Sequence, residues 1–137
     1  MNTRIVACGF VGLAVVAFVG WQIIPSTGDD ANDTDLASLN LPDLTPEQED
    51  GRVLFDANCA ACHGENAAGS DQGPPLVHHI YEPGHHGDMA FVLAAKQGVR
   101  AHHWRFGNMP AVEGVRDEDV LRITAYVRAL QRANGIN

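Results

Sequence analysis

The chain has 137 residues, nine of them Lys or Arg and 17 Asp or Glu, for a net charge of −8 with histidine neutral. That length holds one compact domain with appendages, and the acidic balance excludes a nucleic-acid-binding surface. It contains no internal repeat and no glycine-rich nucleotide-binding motif.

The first 24 residues read as a separate object. After Met1-Asn2-Thr3-Arg4 an uncharged, mostly apolar run extends from Ile5 to Ile24. Twenty helical residues rising about 1.5 Å each cover about 30 Å, the thickness of a bilayer's hydrocarbon core. A cleavable signal peptide is the competing reading, since Arg4 gives a short positive start. The best cut, after Ala17, leaves Phe18, Val19, Trp21, Ile23 and Ile24 on the product, and Trp21 sits where an interfacial aromatic belongs. Residues 1–24 are therefore expected to form an uncleaved anchor, with Arg4 holding the N-terminus in the cytoplasm. The stretch around Cys8 has the look of a lipoprotein cleavage box, but there the apolar run precedes the cysteine; here it follows, and Cys8 reads as an ordinary membrane-helix residue. Residues 25–44 carry Asp29, Asp30, Asp33, Asp35 and Asp43 and no basic residue, which predicts an acidic, flexible, extended linker.

From Thr45 onward the pattern is that of a folded domain. Thr45-Pro46-Glu47-Gln48 marks a helix start: Thr45 caps, Pro46 suits the first helical position, and Gln48 completes a capping box. This helix carries Gly51, Val53, Leu54 and Phe55 and runs into Asn58-Cys59. A second is predicted over Asp88–Gln97, with Phe91, Val92 and Leu93 apolar and Gly98 as its stop. A third begins near Asp117, where Asp117, Glu118 and Asp119 suit the positive end of the helix dipole. Val120, Ile123, Val127 and Leu130 then mark one buried face. The fold class is all-α, three to four short helices over residues 45–137. The stretch from Gly64 to Gly87 reads as loop, and a thin core with so long a loop needs an anchor or a function. A large apolar cofactor would supply the missing core.

Cys59-Ala60-Ala61-Cys62-His63 is a C-x-x-C-H sequence, the pattern of c-type haem attachment. Two thiols one helical turn apart can add to the two haem vinyl groups, and His63 is then carried under the iron as a neutral nitrogen ligand. A thioredoxin-like redox pair would need a βαβ setting, and a structural zinc site a second ligand pair at finger-like spacing. Neither accompanies the motif.

Together with Gly73-Pro74-Pro75-Leu76, Gly107-Asn108-Met109-Pro110 and a last helix containing Tyr126, this motif makes the segment 45–137 resemble the class I cytochrome c family. The attachment motif is highly specific; the other two gain weight from their order. The resemblance implies one covalent haem c, with the Pro74 carbonyl accepting the ring N–H of His63, a bond that fixes the tautomer and raises basicity. It implies Met109 as the sulfur ligand, which raises the reduction potential. His102 or His103 is the rival ligand, and Met89, on the predicted second helix, reads as core packing. A close crossing of the first and last helices at Gly51, Phe55 and Tyr126 is implied as well. Trp104, with Arg100 and Arg105 in the same loop, is a candidate for the haem propionates, with packing on the ring as the other reading for Trp104.

Three adjacent histidine pairs, His78-His79, His85-His86 and His102-His103, are not accounted for by the resemblance. They read as exposed loop histidines, with a copper or zinc site or a pH-sensitive docking surface as alternatives. Around Met109, Lys96, Arg100, Arg105 and Arg116 outweigh Glu113, which predicts a locally basic face. The expected function is one-electron carriage by a six-coordinate haem, without catalysis, between redox partner proteins of a respiratory or photosynthetic chain. The anchor and the haem attachment point to a bacterial inner membrane with the domain facing the periplasm. The alternatives are a metal-binding module that uses the histidine pairs, and a haem peroxidase or gas-binding protein.

Overall fold

The structure, a computed structural model, describes residues 39–137. The expected anchor at 1–24 and most of the expected linker lie outside the described residues. Among the described residues no helix is long and apolar enough to cross a membrane. They form four helices, α1 (Pro46–Asn58), α2 (Ala60–His63), α3 (Asp88–Gln97) and α4 (Asp117–Ala133), with single 3₁₀ turns at Glu65–Ala67 and His79–Tyr81. No strand forms among them; an isolated antiparallel bridge joins Val99 and Met109.

The capping box of α1 is in place: the Gln48 N–H donates to the Thr45 hydroxyl at 3.3 Å and the Thr45 N–H donates to the Gln48 side chain at 2.9 Å. The buried stripe of α4 contains Val120, Ile123, Val127 and Leu130, joined by Tyr126. α1 and α4 cross at Gly51, where a Cβ would stand 2.1 Å from the Arg122 carbonyl oxygen, so a residue without a side chain lets the two backbones meet. Beside the crossing the Phe55 and Tyr126 rings pack with centroids 5.6 Å apart, tilted by 58°. The Tyr126 hydroxyl donates to Asn66 Oδ1 at 3.2 Å. Leu76, Val77 and Ile136 complete this core.

Residues 39–44, which composition assigns to the linker, lie against the domain. Leu39 and Leu44 pack on the core, and Asn40 exchanges hydrogen bonds with Asn134, its N–H donating to Oδ1 at 2.9 Å and its carbonyl accepting from Nδ2 at 3.0 Å. The apolar spacing of the leucines outweighs the one nearby charge, Asp43.

α4 also turns two polar side chains inward. Buried Arg128 donates to Asp88 Oδ1 at 2.9 Å, to the Tyr81 carbonyl at 2.6 Å and to the His86 carbonyl, and its guanidinium lies 5.0 Å from the Phe91 ring centroid. Gln131 donates to the carbonyls of Leu76 at 2.8 Å and Tyr81 at 3.0 Å while accepting from Arg128 at 2.6 Å. The long segment before α3 has little regular structure, and α4 satisfies its buried carbonyls instead.

Candidate functional site

At Cys59 the backbone leaves the path of α1 (φ −125°, ψ −33°), then winds one more turn through Ala60–His63. The N–H groups of Cys62 and His63 donate to the Cys59 carbonyl at 3.1 and 2.9 Å. Both thiols and the imidazole are thereby held on a single turn. The turn is fixed from behind: the Ser70 hydroxyl donates to the Cys62 carbonyl at 2.6 Å. Gly64, at φ 74°, leaves no room for a Cβ, which would meet the Gly69 carbonyl oxygen at 2.0 Å.

The Gly73–Leu76 loop folds back over this turn and brings the Pro74 carbonyl oxygen 2.9 Å from His63 Nδ1. A carbonyl only accepts, so Nδ1 carries the proton and the lone pair stands on Nε2. Burial holds the His63 pKa below the ordinary imidazole value, and the Pro74 bond opposes it. The ring is neutral at physiological pH, the form that ligates a metal. Burial, with a smaller push from Cys62, raises the Cys59 thiol to about 11. Both cysteines are free thiols.

Met109 comes from a different segment. α3 stops at Gly98 (φ 73°), where a Cβ would stand 2.6 Å from the Met109 carbonyl oxygen. The next residue, Val99, exchanges two backbone hydrogen bonds with Met109, at 2.9 and 3.0 Å. Asn108 Oδ1 braces the loop by accepting the Ala101 N–H at 2.9 Å. Met109 therefore sits at the closed base of a loop spanning residues 99–109. A two-residue bridge leaves no alternation in the sequence, so pattern reading passes over it.

These segments border a cavity of about 430 Å³, in the size range of cofactor sites. Cys59, Cys62, His63, Pro74, Trp104 and Met109 all line it, among apolar neighbours that include Leu76, Phe91, Val120 and Ile123. Trp104 Nε1 is buried without a hydrogen-bond partner. The Tyr81 hydroxyl, raised by burial, feels the Trp104 indole but does not reach bonding geometry. An orphaned buried N–H costs free energy until an acceptor arrives. Two thiols and a neutral imidazole on one turn, a methionine, an apolar wall and one unpaired donor fit a large flat apolar group with an anionic edge, which is what haem is.

Met89 is largely exposed and Arg100 and Arg105 lie on the surface; none of the three lines the cavity. The expected basic face is smaller than the sequence suggests. Lys96 pairs with Asp117 at 2.8 Å, and Arg116 pairs with Glu118 at 2.8 Å and Asp119 at 2.9 Å, because α4 begins with three acids beside them. Arg100 and Arg105 remain without an ion pair among the described residues.

The sequence profile of the cytochrome c family matches residues 48–131, and the chain belongs to that family. Covalently bound haem c and electron transfer come with membership. Among curated proteins the chain is similar to the cbb3-type cytochrome c oxidase subunit CcoP of Azospirillum brasilense, at 38% identity over 89 residues. That match covers 60% of this chain and 28% of the relative. No solved structure matches at a significant level.

Proposed function

We propose that this protein is a one-electron carrier whose haem c is attached through Cys59 and Cys62 and ligated by His63 and Met109. The observation that carries this reading is the convergence of six residues from three segments on one apolar cavity, with Pro74 leaving His63 Nε2 free. When bound, the haem supplies a one-electron iron couple. Pro74 keeps the proton on Nδ1 and fixes the ring's orientation. Met109, held by its bridge to Val99, would supply a sulfur ligand to the iron and favour the reduced state. Trp104 offers its N–H to a haem carboxylate. His102 and His103, the rival ligands, pack instead among other imidazoles. With His63 and Met109 both committed to the iron, the chain would leave no position open to a substrate, and no substrate chemistry is expected.

In this reading residues 1–24 anchor the protein, 25–38 tether it, and 39–137 form the haem domain on the periplasmic face of a bacterial inner membrane. The likeness to an oxidase subunit favours redox partners in a respiratory chain. Met109→Ala is the direct test of ligation. In the haem-loaded protein it should abolish the weak sulfur-to-iron charge-transfer band of the oxidised spectrum and lower the potential. If both stay unchanged while His102→Ala or His103→Ala shifts them, the sixth ligand is a histidine.

A further inference from the structure

Two of the three histidine pairs converge although 15 residues lie between them in sequence. His85 and His86 lie just before α3, and His102 and His103 lie in the loop closed by Val99 and Met109. His85 Nε2 and His103 Nε2 stand 3.4 Å apart. One ring nitrogen from each of His85, His86 and His103 lies within 4.8 Å of the others. We propose that His85, His86 and His103 form a second metal site, distinct from the haem iron, for a late first-row divalent cation of the Zn²⁺ or Cu²⁺ type.

The His85–His103 spacing suits a shared metal. Ligand bonds of about 2.0–2.1 Å in a tetrahedral site place neighbouring nitrogens about 3.3 Å apart, close to the His85–His103 separation. The proton positions are also suitable. His86 Nδ1 lies 2.6 Å from the Ile80 carbonyl oxygen, so it donates there and leaves Nε2 to ligate. A backbone carbonyl behind the ring is the usual means of orienting a ligating histidine. The His86 carbonyl is itself held by buried Arg128, which fixes the backbone of the site. His102, with Nδ1 on the Arg100 carbonyl, stands beside His103 with ring centroids 4.3 Å apart but lies outside the group of three. The group contains no carboxylate, and an all-imidazole set suits zinc, copper or nickel rather than calcium or magnesium.

His86, His102 and His103 also line the haem cavity. A dication held there adds positive charge beside the haem and raises its reduction potential.

The test uses the haem-loaded protein, stripped with a chelator and titrated at neutral pH with Zn²⁺ by calorimetry and, separately, with Cu²⁺ by electron paramagnetic resonance. One ion per chain should bind, Cu²⁺ more tightly than Zn²⁺, with nitrogen couplings in the copper spectrum. His85→Ala and His103→Ala should each weaken Zn²⁺ at least about tenfold, whereas His79→Ala, outside the cluster, should not. Far-ultraviolet circular dichroism verifies that each variant is folded, whichever residue is the sixth iron ligand. Bound Zn²⁺ should raise the potential of the wild type and leave that of His103→Ala unmoved. The absence of saturable binding, full affinity in His85→Ala, or an equal loss in His79→Ala would overturn the site. A wild-type potential that ignores bound Zn²⁺ would overturn its coupling to the haem.

Discussion

Arg128 and Gln131 lie within the α4 segment whose periodicity marks an apolar face, yet both are buried and both act as polar fasteners. Their partners are carbonyls 42 to 55 residues away, so no local pattern announces them. Cys59, Cys62 and His63 are legible because attachment chemistry fixes their spacing along the chain. Pro74 and Met109 have no such local signature and are reached in the sequence only through family likeness. The histidines divide the same way: the pairs are visible as text, while the meeting of two of them depends on the loop closed by Val99 and Met109. Titration follows from these placements. His78, through burial and its neighbour His79, and His103, through burial and the imidazoles around it, are held below the ordinary value. The unfolded chain protonates these rings near pH 6.5, whereas the folded protein resists. Stability should therefore be level above about pH 7 and fall as pH drops below about 6.5. Asp119 and Glu49, held low chiefly by Arg116 and Arg52, stabilise above the unfolded carboxylate range and add a second loss below about pH 4. Denaturant midpoints of the chelator-treated haem protein at about pH 7.5 and pH 5.5 measure the first loss; equal midpoints would contradict it.

At the level of helices the local signals were strong. The capping box at Thr45 and Gln48, the stop at Gly98 and the acidic start at Asp117 all coincide with element ends. The four-residue α2 and the two 3₁₀ turns are shorter than the window in which a 3.6-residue period can be recognised. The α1–α4 crossing is where sequence and packing meet most tightly. Gly51→Ala places a methyl group against the Arg122 carbonyl, and backbone cannot swing aside as a side-chain tip can. Overpacking of this kind costs about 1–3 kcal/mol, and the upper end is expected here. Gly84→Ala, with nothing within 4 Å of its new methyl, is the matched control. Chemical denaturation of the two haem-loaded variants makes the comparison; equal midpoints would mean that the helices part without cost.

For the molecule as a whole, charge and shape combine at the cavity mouth. Leu93 and Phe106 line the cavity while remaining 50% and 37% exposed, and Arg100 and Arg105 lie in the same loop as Phe106. A partner therefore meets an apolar rim with two uncompensated arginines, since Lys96 and Arg116 are neutralised by α4. Charge complementarity acts mainly on association rate, and screening shortens its reach to about 8 Å at 0.15 M salt. Electron transfer to an acidic partner should slow by roughly two- to five-fold from low to physiological salt, less than four free charges would give. Reversing both charges, Arg100→Glu with Arg105→Glu, should remove that dependence. Stopped-flow rates across a salt series measure it, and a wild-type rate that climbs with salt would rule the arginines out as the steering pair. The Asn40–Asn134 clasp has a different kind of consequence. It brings the two ends of the folded body within a hydrogen bond of each other, and a domain whose ends meet can be spliced into a longer polypeptide without the host chain having to span its width. The order of its helices is equally open to rearrangement: joining residues 39 and 137 through a short glycine linker and cutting the exposed Glu113–Gly114 turn would permute the chain and leave the α1–α4 crossing untouched.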